Sequence, residues 1–153
     1  MESPLRAAAV ARIVEETGID EATIYRLVHA FYDRVRQDFM LGPIFARRIA
    51  DWEPHLARMC DFWSSVVLMT GRYHGQPMPA HMPLPIEARH FDRWLELFEE
   101  TAREVCARPS AAAFFIDRAQ RIASSLELSV AAAHGTFLAP GQRYGNTETA
   151  SDN

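Results

Sequence analysis

An all-α fold is predicted by three observations on the 153-residue chain. Apolar residues recur at helical spacing in every long segment, no stretch alternates with strand period for more than a few positions, and Gly, Pro and capping residues fall between the periodic runs. The first helix is the Ala-rich run over residues 4–16, stopped by Thr17-Gly18. Asp20 can cap a second helix reaching about Asp38, with Ile24, Leu27, Val28, Phe31 and Val35 on one face and Tyr32 on its flank. Gly42-Pro43 predicts a turn. Asp51 can cap a helix to about Met69 that tolerates Pro54 in its first turn and ends at Thr70-Gly71.

The next stretch, 71–85, is rich in proline and is too long to be an ordinary connection, while Tyr73, Met78, His81, Met82 and Leu84 give it apolar anchors. A helix opening on His90-Phe91 carries Trp94, Leu95, Phe98, Ala102 and Val105 until Arg108-Pro109 interrupts it. The last helix spans about Ser110 to His134 and should pack antiparallel to its predecessor across a short connection. Residues 140–153 are polar and predict a mobile tail.

The length suits one domain able to bury roughly two-thirds of its unfolded surface. A formal net charge of −4, with arginines scattered among carboxylates, argues against a nucleic-acid surface. No apolar run approaches the roughly 18 residues of a membrane helix, and the N-terminus lacks a charged-then-apolar signal pattern, so a cytoplasmic protein is expected. Cys60 and Cys106 lack CxxC partners and are expected to be reduced thiols.

The chemistry concentrates between Trp52 and Trp94. His55, Met59, Phe62 and Trp63 stand at i, i+4, i+7 and i+8 and share one helical face. His81 lies among Pro77, Pro79, Pro83 and Pro85, which cannot continue a helix interior, so a turn or single helical turn presents it. Two histidines and several large apolar side chains could enclose a flat, apolar, metal-bearing ligand. Spacing alone favours an ordinary surface histidine at 81. It also leaves open a non-haem metal enzyme using His55 and His81 with a carboxylate such as Asp51, or a helical interaction module whose aromatics are only core. Phosphate loops, HExxH and GxSxG are absent, and Glu15-Glu16 and Glu99-Glu100 suit solvated faces.

The chain resembles the group III truncated haemoglobins over about Ala22 to Leu128. The resemblance is carried by Phe31-Tyr32, Leu41-Gly42-Pro43-Ile44-Phe45, Trp52 with His55, Phe62-Trp63, Gly75-Gln76-Pro77 with His81, and His90-Phe91 with Trp94-Leu95 and Leu97-Phe98. No Gly-Gly pair occurs, as fits group III rather than groups I and II. The resemblance implies a globin-like, two-over-two helical sandwich over residues 1–139, with 1–18 as an N-terminal extension helix. It implies haem b bound by His81 as proximal iron ligand, and Tyr32, Trp94 and His55 on the distal side. Phe31, Phe45, Met59, Phe62 and Trp63 would line the haem, and Arg58 would reach a propionate. The expected ligands are small diatomics (O2, CO, NO), and nitric oxide dioxygenation or peroxide reduction with a reductase is candidate turnover. His29, His74, His90 and His134 are expected to be non-ligands, with His90 bracing the haem edge or capping its helix.

Overall fold

A computed structural model describes residues 4–75, 81 and 84–145; the prolines at 77, 79 and 83 and the methionines at 78 and 82 lie outside the described residues. Six helices are described: α1 (Pro4–Thr17), α2 (Glu21–Gln37), α3 (Gly42–Arg48), α4 (Trp52–Leu68), α5 (Ala88–Val105) and α6 (Pro109–Ala133). The α2–α4 pair lies over the α5–α6 pair, with α2 meeting α5 and α4 meeting α6. This is the expected two-over-two layout. No helix among the described residues is long and apolar enough to cross a membrane.

Local chemistry sets the helix ends. The Asp20 carboxylate accepts from Thr23 N at 2.8 Å and from the Thr23 hydroxyl at 2.7 Å, fixing the start of α2. The carbonyls that α1 leaves unpaired at its C-terminus are taken up from the start of α6: Arg108 donates to Glu15 O at 3.0 Å and Ser110 to Glu16 O at 2.9 Å. Helix α4 ends one residue early, because Met69 adopts a left-handed conformation (φ 55°, ψ 36°) ahead of Gly71.

Helix α3 corrects the sequence reading. The sequence predicts only a turn at Gly42-Pro43, yet Pro43 sits in the first turn of a helix, where its missing N–H costs nothing. Gly42 is required by contact: a Cβ there would stand 2.8 Å from the Arg36 carbonyl oxygen. Asp38, buried between α2 and α3, accepts from Met40 N (3.1 Å) and Leu41 N (3.0 Å) and pairs with Arg93 of α5 at 2.6 Å. One carboxylate therefore organises three helices.

The main core gathers Ile24, Leu27, Phe31, Val35, Trp63, Val67, Phe98 and Phe115 from α2, α4, α5 and α6. A second cluster, built on Ile86, Phe91, Ala123, Leu126 and Val130, lies between α5 and α6. Leu84 and Tyr144 pack on it. The sequence predicts a mobile tail from residue 140, but Arg143 and Tyr144 are hydrogen-bonded to α6 through Glu127; residues 146–153 lie outside the described residues.

Burial opposes ionisation of Asp38, but Arg93 and two backbone N–H groups outweigh it and hold its pKa below the ordinary 3.8. Asp38→Ala should therefore lower stability by about 2–3 kcal/mol in urea melts at pH 7. The advantage of the native residue is full above about pH 4 and disappears as the pH falls and the folded carboxyl takes up its proton. Equal stabilities at pH 7 would show that the three-helix junction does not depend on this carboxylate.

Candidate functional site

Helix α2 delivers Tyr32 into an aromatic cage closed by α3 and α4. The Tyr32 ring lies 5.9 Å from Phe45, 5.9 Å from Trp52 and 5.2 Å, edge-on, from His55. Trp52 and His55, three residues apart and so on one face of α4, meet edge-on at 5.4 Å, and the Arg36 guanidinium covers the Trp52 ring at 4.6 Å. Phe31 turns the other way. Its ring meets Tyr32 at 4.9 Å, Trp94 at 5.4 Å and Phe98 at 5.2 Å. The predicted residues Tyr32, Phe45 and His55 are thus in direct contact, and Trp94 joins them through Phe31.

Along the same face of α4, Met59 and Phe62 are half-buried against the core, whereas Trp63 is buried and stacks on Phe98 at 5.1 Å. Trp63 belongs to the packing between the helix layers. Arg58 is exposed. Two contributors lie outside the site residues expected from the sequence, which pointed to Trp52 only in its motif with His55 and to Tyr73 only as an apolar anchor of the connection. Trp52 is a wall of the cage, legible only in its three-residue spacing from His55. Tyr73 packs edge-on against Phe62 at 5.2 Å and donates its N–H to Ser65 Oγ at 2.9 Å, which pins the start of the connection carrying His81 to α4. No periodicity announces that contact.

The electrostatics of the cage are those of neutral, protonated donors. Burial pushes the Tyr32 phenol far above its usual range, so it keeps its proton across neutral pH. Burial, then the charges of Arg58 and His81, push His55 down to about 4, so its ring is neutral at pH 7. His81 is half-buried and lies near enough for its charge to act on His55. His55 Nε2 is a buried nitrogen without a hydrogen-bond partner among the described residues. Buried polar atoms are nearly always paired, so an orphan here marks a place where a polar ligand completes the site.

Three of the four remaining histidines have structural surroundings, and His74 is exposed. His90 is buried and its Nδ1 accepts from Glu87 N at 2.9 Å, which makes it a cap of α5 and leaves the proton on Nε2. His29 pairs with the Tyr25 carbonyl and His134 with the Tyr144 hydroxyl. The non-haem alternative loses its carboxylate, since Asp51 caps α4 through Glu53 N, and the described residues hold no group of three His, Cys, Asp or Glu side chains able to take a metal ion.

Residues 13–127 match the family of bacterial-like globins. A group 3 truncated haemoglobin of Campylobacter jejuni is 36% identical over 114 residues, which is 71% of this chain and 89% of that protein. The crystal structure of a Campylobacter jejuni group III truncated haemoglobin superposes with a TM-score of 0.67 at 37% identity, over 71% of this chain and 89% of that one. The haemoglobin of Chloroflexus aurantiacus superposes with a TM-score of 0.62 at 28% identity, covering 74% of this chain and 95% of that one. A truncated oxygen-avid haemoglobin of Bacillus subtilis gives the same TM-score, 0.62, at 25% identity, over 74% and 97% respectively.

An unpartnered buried nitrogen costs stability, and a neutral histidine loses more as acid charges it. His55→Leu should raise the stability of the purified chain at pH 7 by about 1 kcal/mol. Because the folded pKa of about 4 lies below the ordinary 6.5, the unfolded chain binds the proton first and stability falls as pH drops from 6.5 to about 4. The leucine variant should lose less over that window in thermal melts. A variant less stable at pH 7, with the same acid slope, would show that the nitrogen is satisfied in solution.

Proposed function

Because the chain belongs to the bacterial-like globins, as a truncated haemoglobin of group III, we propose that it binds one haem b through His81 and holds a small diatomic ligand beneath Tyr32, Trp94 and His55. The observation that carries this reading is the buried, unpartnered Nε2 of His55 beside the Tyr32 ring in an otherwise apolar cage. The residues present fit the group. Half-buried Phe45, Met59, Phe62, Trp94 and Leu95 offer apolar surface to a flat macrocycle, and His81 offers an imidazole. Exposed Arg58 can pair with a propionate at the rim, since guanidinium matches carboxylate geometry.

Haem, when bound, would be held by His81 and would supply an iron able to take O2, CO or NO. The chain's own contribution is polarity and access. Tyr32 Oη keeps its proton and can donate it in a hydrogen bond; the Trp94 indole N–H is a donor only. A neutral hydrogen bond contributes roughly 0.5–1.5 kcal/mol and one to a charged partner about 1.5–3. Two donors therefore slow the departure of a polarised diatomic by roughly one to three orders of magnitude. Such retention suits ligand chemistry or sensing better than oxygen delivery. Nitric oxide dioxygenation or peroxide reduction, supported by a reductase, is the turnover we assign to it, in a cytoplasm whose reducing conditions suit the unpaired Cys60 and Cys106. His55, neutral and at the start of its helical stripe on α4, we assign to access.

His81→Ala should lose most of its haem during purification, whereas His55→Ala should keep it; the absorbance ratio of the Soret band to protein reads this directly. Full occupancy in both would refute His81 as the ligand. Tyr32→Phe keeps the ring and removes the hydroxyl, so the O2 off-rate should change at least several-fold, about what one such bond is worth, and the C–O stretch of the carbonyl complex should shift. An identical off-rate and stretch would make the tyrosine purely structural. For His55→Leu, a gate changes the CO on-rate at least as much as the O2 off-rate, whereas a donor changes mainly the off-rate. A large O2 effect with an unchanged CO on-rate would turn His55 from gate into donor.

A further inference from the structure

The family match stops at Glu127, and the contacts that end the described chain begin there. Glu127 is 5% exposed, an unusual place for a carboxylate on α6. It is neutralised from sixteen residues downstream by Arg143, whose Nε lies 3.0 Å from Oε2 and whose second nitrogen lies 3.0 Å from Oε1, and Tyr144 N adds a bond of 2.8 Å. The same guanidinium reaches Asp92 on α5 at 2.7 Å. One cation thus clamps α6 to the first turns of α5.

Tyr144 continues the clamp towards His81. Its carbonyl oxygen accepts from Ala88 N at 2.8 Å, satisfying a donor that the first turn of α5 leaves without an intrahelical partner. Its ring packs on the cluster that holds Leu84 and Ile86, and its hydroxyl pairs with His134 at 3.0 Å. Gly145 presses on the residue that precedes α5: a Cβ there would stand 2.7 Å from Glu87 Oε2, and its φ of +83° suits glycine. Leu84 N in turn donates to the His81 carbonyl at 3.1 Å. The segment from His81 to Ala88 is therefore held at its far end by residues 143–145, as Tyr73 holds the near end of the same connection.

We propose that Arg143–Gly145 is a strap that positions the proximal segment, setting how firmly His81 is presented to the haem; this rests on His81 being the iron ligand. Arg143, Tyr144 and Glu127 are positioning residues that act through Ala88, Leu84 and Ile86. The strap ties the proximal segment to α6 and to the first turns of α5, so its loosening is felt more at His81 than at Tyr32 on α2.

The test uses the haem-loaded chain. Arg143→Met should speed haem transfer to an excess of acceptor globin by about three- to tenfold, shift or broaden the iron–histidine stretch of the ferrous form, and accelerate amide exchange at Ala88. The C–O stretch, a distal readout, should shift less than the iron–histidine band. Arg143→Lys keeps the charge without the forked geometry and should fall between the two; it carries the same test if the methionine variant does not fold. A lowered Tm with unchanged haem transfer and an unchanged iron–histidine band would overturn the strap and leave a merely structural ion pair. If His81→Ala itself retains haem, the premise fails and the proposal with it, an outcome that is separate because it is read without any strap variant.

Discussion

The site depends on the burial of Phe31 at the crossing of α2 and α5. Its ring, 1% exposed, touches Tyr32 on its own helix and Trp94 and Phe98 on the facing one. Tyr32 and Trp94 come from opposite layers of the sandwich, so nothing local relates them. A single edge-on aromatic junction does, and such contacts hold ring angles as well as distance. If Phe31 were smaller, the gap would relax only partly and both donors would lose their mutual register.

Around that apolar junction, buried polar groups sit where helices end. Asp38 joins α2, α3 and α5; Ser64 of α4, fully buried, bonds the Glu21 carboxylate at the start of α2 and the Thr70 hydroxyl, each at 2.7 Å; Glu127 joins α6 to the residues after it. Helix termini leave backbone groups without partners, and carboxylates and hydroxyls can serve several at once. These groups fix how the helices meet, while the aromatic face fixes how far apart they lie. The exception is His55, whose Nε2 has none of this provision. A fold that satisfies its other buried side-chain polar atoms among the described residues, and leaves one unsatisfied beside a protonated phenol, is arranged around something it binds.

The connection between α4 and α5 carries His81, the proposed iron ligand. Its described ends are gripped by neighbouring groups. Tyr73 grips one end through Phe62 and Ser65, and the Glu87–His90 cap with the Tyr144 carbonyl grips the other. Those anchors are a natural place for tuning.

The sequence by itself determined the all-α class and five of the six described helices with ends good to a residue or two. These follow from periodicity and capping, which are local and written in neighbouring letters, whereas the roles proposed for Tyr32, His55 and His81 came from the resemblance to group III truncated haemoglobins. It missed α3, because Gly-Pro reads as a turn unless one knows that Asp38 takes the preceding N–H groups and that Arg36 O leaves no room for a Cβ. It also misread the start of the tail, because polar composition says nothing of an acceptor sixteen residues earlier. Only the tertiary structure decided that Trp52 walls the cage, that Trp63 packs between layers, that His90 caps α5 and that half-buried His55 keeps a buried Nε2 without a partner among the described residues. Each of these depends on which distant side chain fills the space next to it, and burial is a property of the assembled neighbours rather than of the residue.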